Sequence, residues 1–386
     1  MDCRFRSDGL VDVMRFLILD TDYPAFLDWL YADDPTLDKK PFDEQQRVHT
    51  EACFGMAGFC ARNLRALGHD AQDIHVNNEV MQKQWAREHG VNVGFDRRWK
   101  FRWRRGVIPW ISRSQAHRWF HKILAAQIRE YKPDVILNLA MDGISSAFLR
   151  EMKSCTRLLV GQIAAPLPEG ENWGVYDLVI SSLPNFVEYF RRNGVRSAFN
   201  RLAFEPSVLH ALKNQKKNIL VSFIGSFTGS HSKRDQLLER LCSTLPINIW
   251  GIGVERLPQD SPIRSRFMGA AWGLRMFRIL AASKIVINYH SDFAQSYANN
   301  MRLFEATGTG ALLVTDSKEN LHEMFEPGKE VIAYRNIDEC VDLVRCYLTQ
   351  DDERENIAAS GQRRTLQSHT YLQRMQDLCT MVPEYL

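Results

Sequence analysis

Arg302 and Glu305, three residues apart and just behind the pair Asn299–Asn300, are the side chains of this sequence best suited to chemistry. That spacing sets a guanidinium and a carboxylate near one face of a helix. An Arg at a helix start suits a diphosphate, because it and the free backbone N–H groups donate to the same anionic oxygens. A carboxylate one turn further in suits a pair of hydroxyls, since it accepts two hydrogen bonds at once. The elements that must position these groups are written in the same stretch. The Asn299 and Asn300 side chains can cap a helix, and Gly308 and Gly310 stop it. Ala311–Val314 is a short apolar run of the kind a central parallel strand needs. An ordinary strand–helix unit with a glycine cap fits the same residues, so the flanking sequence has to decide.

The flanks are specific. Asn300, Arg302, Phe304, Glu305, Ala306 and Gly310 keep the spacing N-x-R-x-F-E-A-x-x-x-G, and Ser283-Lys284-Ile285 with Asn288 and His290 precede them. Glu326-Pro327-Gly328, Ile357–Gln362 and His369-Thr370-Tyr371 follow. Together they resemble the donor half of GT-B glycosyltransferases of the CgeB-like, glycosyl-transferase-group-1 type. The likeness is firm over 218–375 and only topological over 14–205. It implies an α/β protein of two Rossmann-like domains facing across a cleft: an acceptor-binding domain over 14–205, a nucleotide-sugar donor-binding domain over 206–368, and a tail over 369–386 that crosses back to the first domain. It also implies sugar transfer from a nucleotide-diphosphate donor to a glycan, lipid-linked, protein or small-molecule acceptor, with retention and with neither metal nor other cofactor. One position departs from the pattern: many retaining relatives carry a glutamate eight residues before the second, and here Tyr297 stands there.

The remaining candidate residues follow from the same frame. Asn218–Ser226 reads as a strand that breaks into a Gly/Ser/Thr loop, 225–232, before a helix opened by Lys233 and Arg234. Such a turn lets backbone N–H groups approach a phosphate, though it has neither the Walker nor the G-x-G-x-x-G spacing. The resemblance sets Gly225, Ser226 and Arg234 or Lys233 against the donor diphosphate, and Ala271 and Trp272 against its base. His290 ends a strand and is a candidate to face the donor. Arg302, His290 and Asp142 are the candidate catalytic residues; Asp142 follows the strand Val135–Leu139, and a helix cap is its plainer reading. Should the reaction invert, a general base is expected in the first half, with Asp142, Asp22 and His49 as candidates.

Composition narrows the class. The chain has 386 residues, 45% apolar and 25% charged, which suffices for two cores. A net charge of +3 gives no bulk field for nucleic acid, and no apolar run reaches the ~20 residues of a membrane span. Eight scattered cysteines without a C-x-x-C pair point to reduced thiols and a cytoplasmic setting, and away from a zinc site. Residues 97–122 are basic and aromatic without an acid, which fits a peripheral membrane contact, an anionic acceptor, or a solvated loop whose rings tuck back. A single helix is expected over 44–67, another over 115–131, and strands over 15–20, 157–161, 176–181 and 248–253. Two alternatives to transfer stay open: a sugar-nucleotide epimerase of the same fold, and a binding protein without turnover.

Overall fold

Phe16, Leu17, Ile18 and Leu19 are all fully buried, so the strand they form, β1 (Arg15–Asp20), is covered on both faces. A strand of that kind belongs inside a parallel sheet with helices on either side. The computed structural model describes residues 13–93, 98–104, 108–114, 118–227 and 232–386. In it β1 lies in a six-stranded parallel sheet with β2 (Asp70–His75), β5 (Val135–Asn138), β6 (Leu158–Gln162), β7 (Leu178–Ser181) and β8 (Ser197–Phe199), in the order β2-β1-β5-β6-β7-β8. Between β2 and β5, the strands β3 (Arg98–Arg104) and β4 (Ile108–Ser114) pair antiparallel, Arg98 opposite Ser114 and Arg104 opposite Ile108.

The second sheet is also parallel, with five strands: β9 (Ile219–Ile224), β10 (Ile247–Trp250), β11 (Ser283–Ile287), β12 (Leu312–Asp316) and β13 (Ile332–Tyr334), in the order β10-β9-β11-β12-β13. Each sheet reverses its winding once. In the first the chain leaves β1 toward β2 on one side and returns at β5 on the other. In the second the same happens between β9 and β11. A crevice opens past the carboxyl ends of the strands at such a point, because the flanking connections diverge to opposite faces.

The chain then crosses back. Thr370 caps the helix Tyr371–Met381 in a reciprocal box with Gln373, and the Tyr371 ring lies 5.3 Å from Phe59 of the first domain. Backbone pairs Phe204 N–His369 O (2.8 Å) and Tyr371 N–Phe204 O (3.0 Å) tie the crossing to the linker between the sheets.

Several local expectations change. The stretch 44–67 is two helices, Phe42–Glu51 and Ala57–Ala66, because Cys53 and Gly55 both take positive φ and turn the chain. The helix expected from Gln115 begins at Arg118 as described, with 115–117 outside the described residues. Of the basic stretch 97–122, the backbone of 98–104 and 108–114 is a hairpin, while Arg97 and Arg105 lie outside the described residues. So do 228–231 of the Gly/Ser/Thr loop. No helix among the described residues is long and apolar enough to cross a membrane.

Candidate active site at the two switch points

The turn after β9 is made of backbone pressed on backbone. Gly225 N–H donates to Trp250 O at 3.0 Å and Phe227 N–H to Ile252 O at 2.8 Å. A Cβ at Gly251 would lie 1.7 Å from Gly225 O, so glycine is required there. Beyond this turn Lys233 points to solvent, whereas Arg234 turns inward with its side chain only 7% exposed. Its guanidinium lies over the rings of Phe223 and Phe227, at 5.8 and 5.3 Å, and is 3.1 Å from Asp235.

Arg302 meets the same strand end from the other side of the switch point. Its Nη2 is 3.5 Å from Ile224 O, and its Nη1 is 2.8 Å from Glu305 Oε2 at an angle too poor for a hydrogen bond, so the attraction is ionic. Arg302 Nε is buried with no hydrogen-bond partner among the described residues. Glu305 is buried, which pushes its carboxyl up while Arg302 opposes the shift. The helix carrying both, Arg302–Gly308, is only seven residues long. Asn300 starts it: its Oδ1 accepts the Leu303 N–H at 3.2 Å and its Nδ2 donates to Asn288 Oδ1 at 2.8 Å. Asn299 instead turns to a narrow pocket between the domains, lined also by Ser182, Arg201 and Asn320.

His290 is fully buried and its Nδ1 is 2.7 Å from Asp316 Oδ1, which also accepts the His290 N–H at 3.0 Å. Burial raises the Asp316 carboxyl, but His290 and Lys318 outweigh it and hold the group below its ordinary value. The other ring nitrogen, Nε2, is buried without a hydrogen-bond partner among the described residues. Ala271 is buried, and Trp272 stacks on Tyr23 of the first domain at 6.0 Å, with its edge on Phe54 at 5.3 Å. Gly225, Ser226, Arg234, Asn300, Arg302, Glu305 and His290 thus gather at the β9/β11 end. Ala271 and Trp272 sit at the domain boundary.

On the first sheet Asp142 is exposed beyond β5, and the following helix Ser146–Met152 is capped by Ser145 instead. Asp22 and His49 are buried in a cluster that the sequence did not reveal. His49 Nε2 and His75 Nδ1 lie 3.0 and 3.1 Å from the same Asp22 Oδ2, and His75 Nε2 lies 3.1 Å from Asp73 Oδ2. Burial alone would pull His75 down, but Asp22 and Asp73 outweigh it and hold the imidazole well above its ordinary value. Burial and the charge on His75 keep His49 below its own. Burial raises Asp22 and Asp73, and the imidazoles outweigh it and hold both carboxyls low. Asp73 and His75 belong to β2, a strand with too little apolar character for its period to show.

Asp22, His49 and His75 are the group among the described residues whose ligand atoms, all within 4.8 Å of one another, have the spacing for a metal ion. Their arrangement favours a shared proton instead. Two imidazoles bound to one tetrahedral ion would hold their centroids roughly 5 Å apart, whereas these rings lie 3.7 Å apart, tilted by 39°, around one carboxylate oxygen.

Comparison with known proteins agrees with the fold. Residues 233–380 match a family described as glycosyl transferase-like. No curated protein matches the chain significantly. Solved structures do. Anabaena HepE in complex with UDP and glucose superposes with a TM-score of 0.57 at 12% identity, over 96% of this chain and all of that one. Sucrose-phosphate synthase from Thermosynechococcus elongatus gives 0.57 at 9%, over 96% and 98%. The pneumococcal O-GlcNAc transferase GtfA in complex with UDP and GlcNAc gives 0.55 at 9%, over 97% and 99%. At such identities the likeness is one of fold.

Proposed function

We propose that this chain, which carries a glycosyl transferase-like domain on a GT-B fold, moves a sugar from a nucleotide-diphosphate donor to a hydroxyl-bearing acceptor. The observation that carries the reading is the position of Arg302, which spans from Glu305 to the Ile224 carbonyl across the β9/β11 switch point with Arg234 inward beside it. In this reading Arg302, Arg234 and the Gly225–Ser226 backbone meet the charge that grows on the departing diphosphate, without need of a metal ion. Glu305 accepts the ribose hydroxyls through the oxygen that Arg302 leaves open. His290 Nε2, buried and without a partner among the described residues, is a donor or acceptor for the same ligand, and the backbone near Ala271 borders the base. HepE and GtfA, which share the fold, were solved with UDP, so a uridine donor is the first to try.

Calorimetry with UDP, GDP, dTDP, CMP and ADP on wild type and on Glu305→Ala tests the reading. One nucleotide bound by the wild type and weakened in the variant supports it. Binding by none of them removes the donor site and leaves a fold without turnover.

A further inference from the structure

Between β2 and β5 the chain makes a detour that neither large sheet absorbs: among the described residues β3 and β4 pair only with one another. The detour leaves and returns at one place. Val93 and Trp119 both pack on the cluster of Trp85, Ala86 and Ile123, and Lys122 Nζ donates to the Val93 carbonyl at 3.4 Å. That place is the start of the helix Arg118–Tyr131. The far end of this helix belongs to the amino ends of the strands, since the Arg15 guanidinium at the start of β1 lies 4.9 Å from the Tyr131 ring. Near its start, His121 stacks at 4.5 Å on Phe148, in the helix that follows β5. The hairpin therefore springs from the carboxyl end of the first sheet, the side on which the crevice between β1 and β5 opens.

Its composition is unlike the rest of the chain. Residues 97–122 hold nine Lys and Arg and no acid, which leaves 40 Lys and Arg against 46 Asp and Glu elsewhere. They also hold four of the nine tryptophans. The positive charge is thus confined to one projection on an acidic body, so an anionic surface attracts that projection and turns the rest away. The register sorts the residues by face, because neighbours along a strand alternate. Arg98, Lys100, Arg102 and Arg104 fall on one face of the hairpin. Trp99, Phe101 and Trp103 fall on the other, with Ile111 opposite Phe101 and Pro109 opposite Trp103. A two-stranded hairpin is at best marginally stable in water by itself, so an aromatic face of this kind needs a cover.

We propose that this hairpin docks the first domain on an anionic lipid bilayer. The aromatic face lies at the boundary of headgroups and acyl chains, where tryptophan is favoured because its ring is apolar and its N–H polar. The basic residues serve the phosphates of the headgroups, as they do on an amphipathic helix lying in the interface. Separation of the two residue types is what selects lipid over another polyanion. Single-stranded nucleic acid is held by cations and stacking rings on one shared surface, whereas here they occupy opposite faces. The proposal stands apart from the donor reading: it says where the protein works, and not which nucleotide it takes.

The test is co-sedimentation of the full chain with vesicles of phosphatidylcholine alone and of an equal mixture with phosphatidylglycerol. Binding to the mixed vesicles, weakened by high salt, and none to phosphatidylcholine alone is the expected result. The triple variant Arg98→Glu, Lys100→Glu, Arg102→Glu should bind the mixed vesicles at least ~100-fold more weakly, since each basic residue near such a surface carries about 5-fold. Trp99→Ala with Trp103→Ala should also bind more weakly, and its fluorescence should be quenched less by brominated lipid. Both variants should keep the wild-type melting temperature. Equal binding to both vesicles, wild-type binding by the charge-reversed variant, or binding to heparin and single-stranded DNA with none to vesicles overturns the proposal. So does a tryptophan pair whose loss lowers the melting temperature and leaves vesicle binding intact, because the domain itself would then cover that face. Nucleotide calorimetry on the same samples tests the donor reading separately.

Discussion

The Leu274 N–H donates to the Ala52 carbonyl oxygen at 2.8 Å, across the boundary between the two domains. A backbone pair of this kind leaves no room between the chains: a Cβ at Gly273, which has φ +48°, would stand 1.9 Å from the same oxygen. Trp272 then reaches Tyr23 from this anchor, which fixes the spacing between Asp20's loop and the donor domain.

Gly273→Ala should therefore cost far more than a positive φ alone. Gly90 has φ +66° and nothing within 4 Å of an added Cβ, so Gly90→Ala reports the backbone strain by itself. The expectation is about 1 kcal/mol for Gly90→Ala and at least ~2–3 kcal/mol for Gly273→Ala. Calorimetric unfolding measures both, and small-angle scattering should show a wider particle for Gly273→Ala alone.

His75→Gln should leave Asp22 and Asp73 buried without their cation and destabilise the chain by ~3–5 kcal/mol. The pH dependence has a fixed sign. The folded value of His75 is raised, so its stabilisation is complete below the unfolded value near 6.5 and fades as pH climbs through the folded value. The lowered Asp22 and Asp73 contribute above ~4, and lose that contribution as pH falls. Urea unfolding at pH 6 and at pH 9–10 should show the gap between wild type and variant shrinking at the alkaline end.

Asp20→Asn should flatten the pH dependence of stability between 3.8 and about 6. The folded carboxyl titrates at about 6 instead of 3.8, so the unfolded chain gives up its proton first and wild-type stability falls as pH rises between those values. Asparagine has no such loss, but it keeps one oxygen for the two backbone N–H groups, of Thr21 and Ala57, that the carboxylate accepts. Thermal scans should show the variant's melting temperature rising by a few degrees relative to wild type between pH 3.5 and pH 7–8.

Arg302→Ala and Glu305→Ala should each weaken nucleotide binding about 10–100-fold, and the double variant should lose less than the product of the two. The side chains meet at 2.8 Å, and groups in direct contact couple instead of adding. Calorimetry on the four proteins gives the coupling; simple additivity would mean that the two act on separate parts of the ligand.

Much of the second domain was legible because its chemistry is local. Arg302 and Glu305 are three residues apart, Asn300 caps the helix they lie on, and β9, β11 and β12 are short apolar runs that a parallel sheet buries on both faces. The first domain hid more. Its β2 reads D-A-Q-D-I-H, in which Asp73 and His75 point into the cluster with Asp22 and so erase the apolar signal a strand would give. The alternation R-W-K-F-R-W-R over 98–104 is a strand pattern with a period of two, in which basic residues stand where a strand usually carries neutral polar ones.

By itself the sequence determined the local grammar: which runs are strands, where glycines must break them, and which short spacing places a guanidinium beside a carboxylate. Those depend on contacts within a few residues. Only the tertiary structure decided which side chains stand free and which are spent on one another. Asp20 and Asp22 are two residues apart and alike in type. The fold sets one on the backbone N–H groups of Thr21 and Ala57 beside Gly55 and seals the other between two histidines from positions 49 and 75. Burial and long-range partners set a carboxylate's charge, and neither is written in its immediate neighbours.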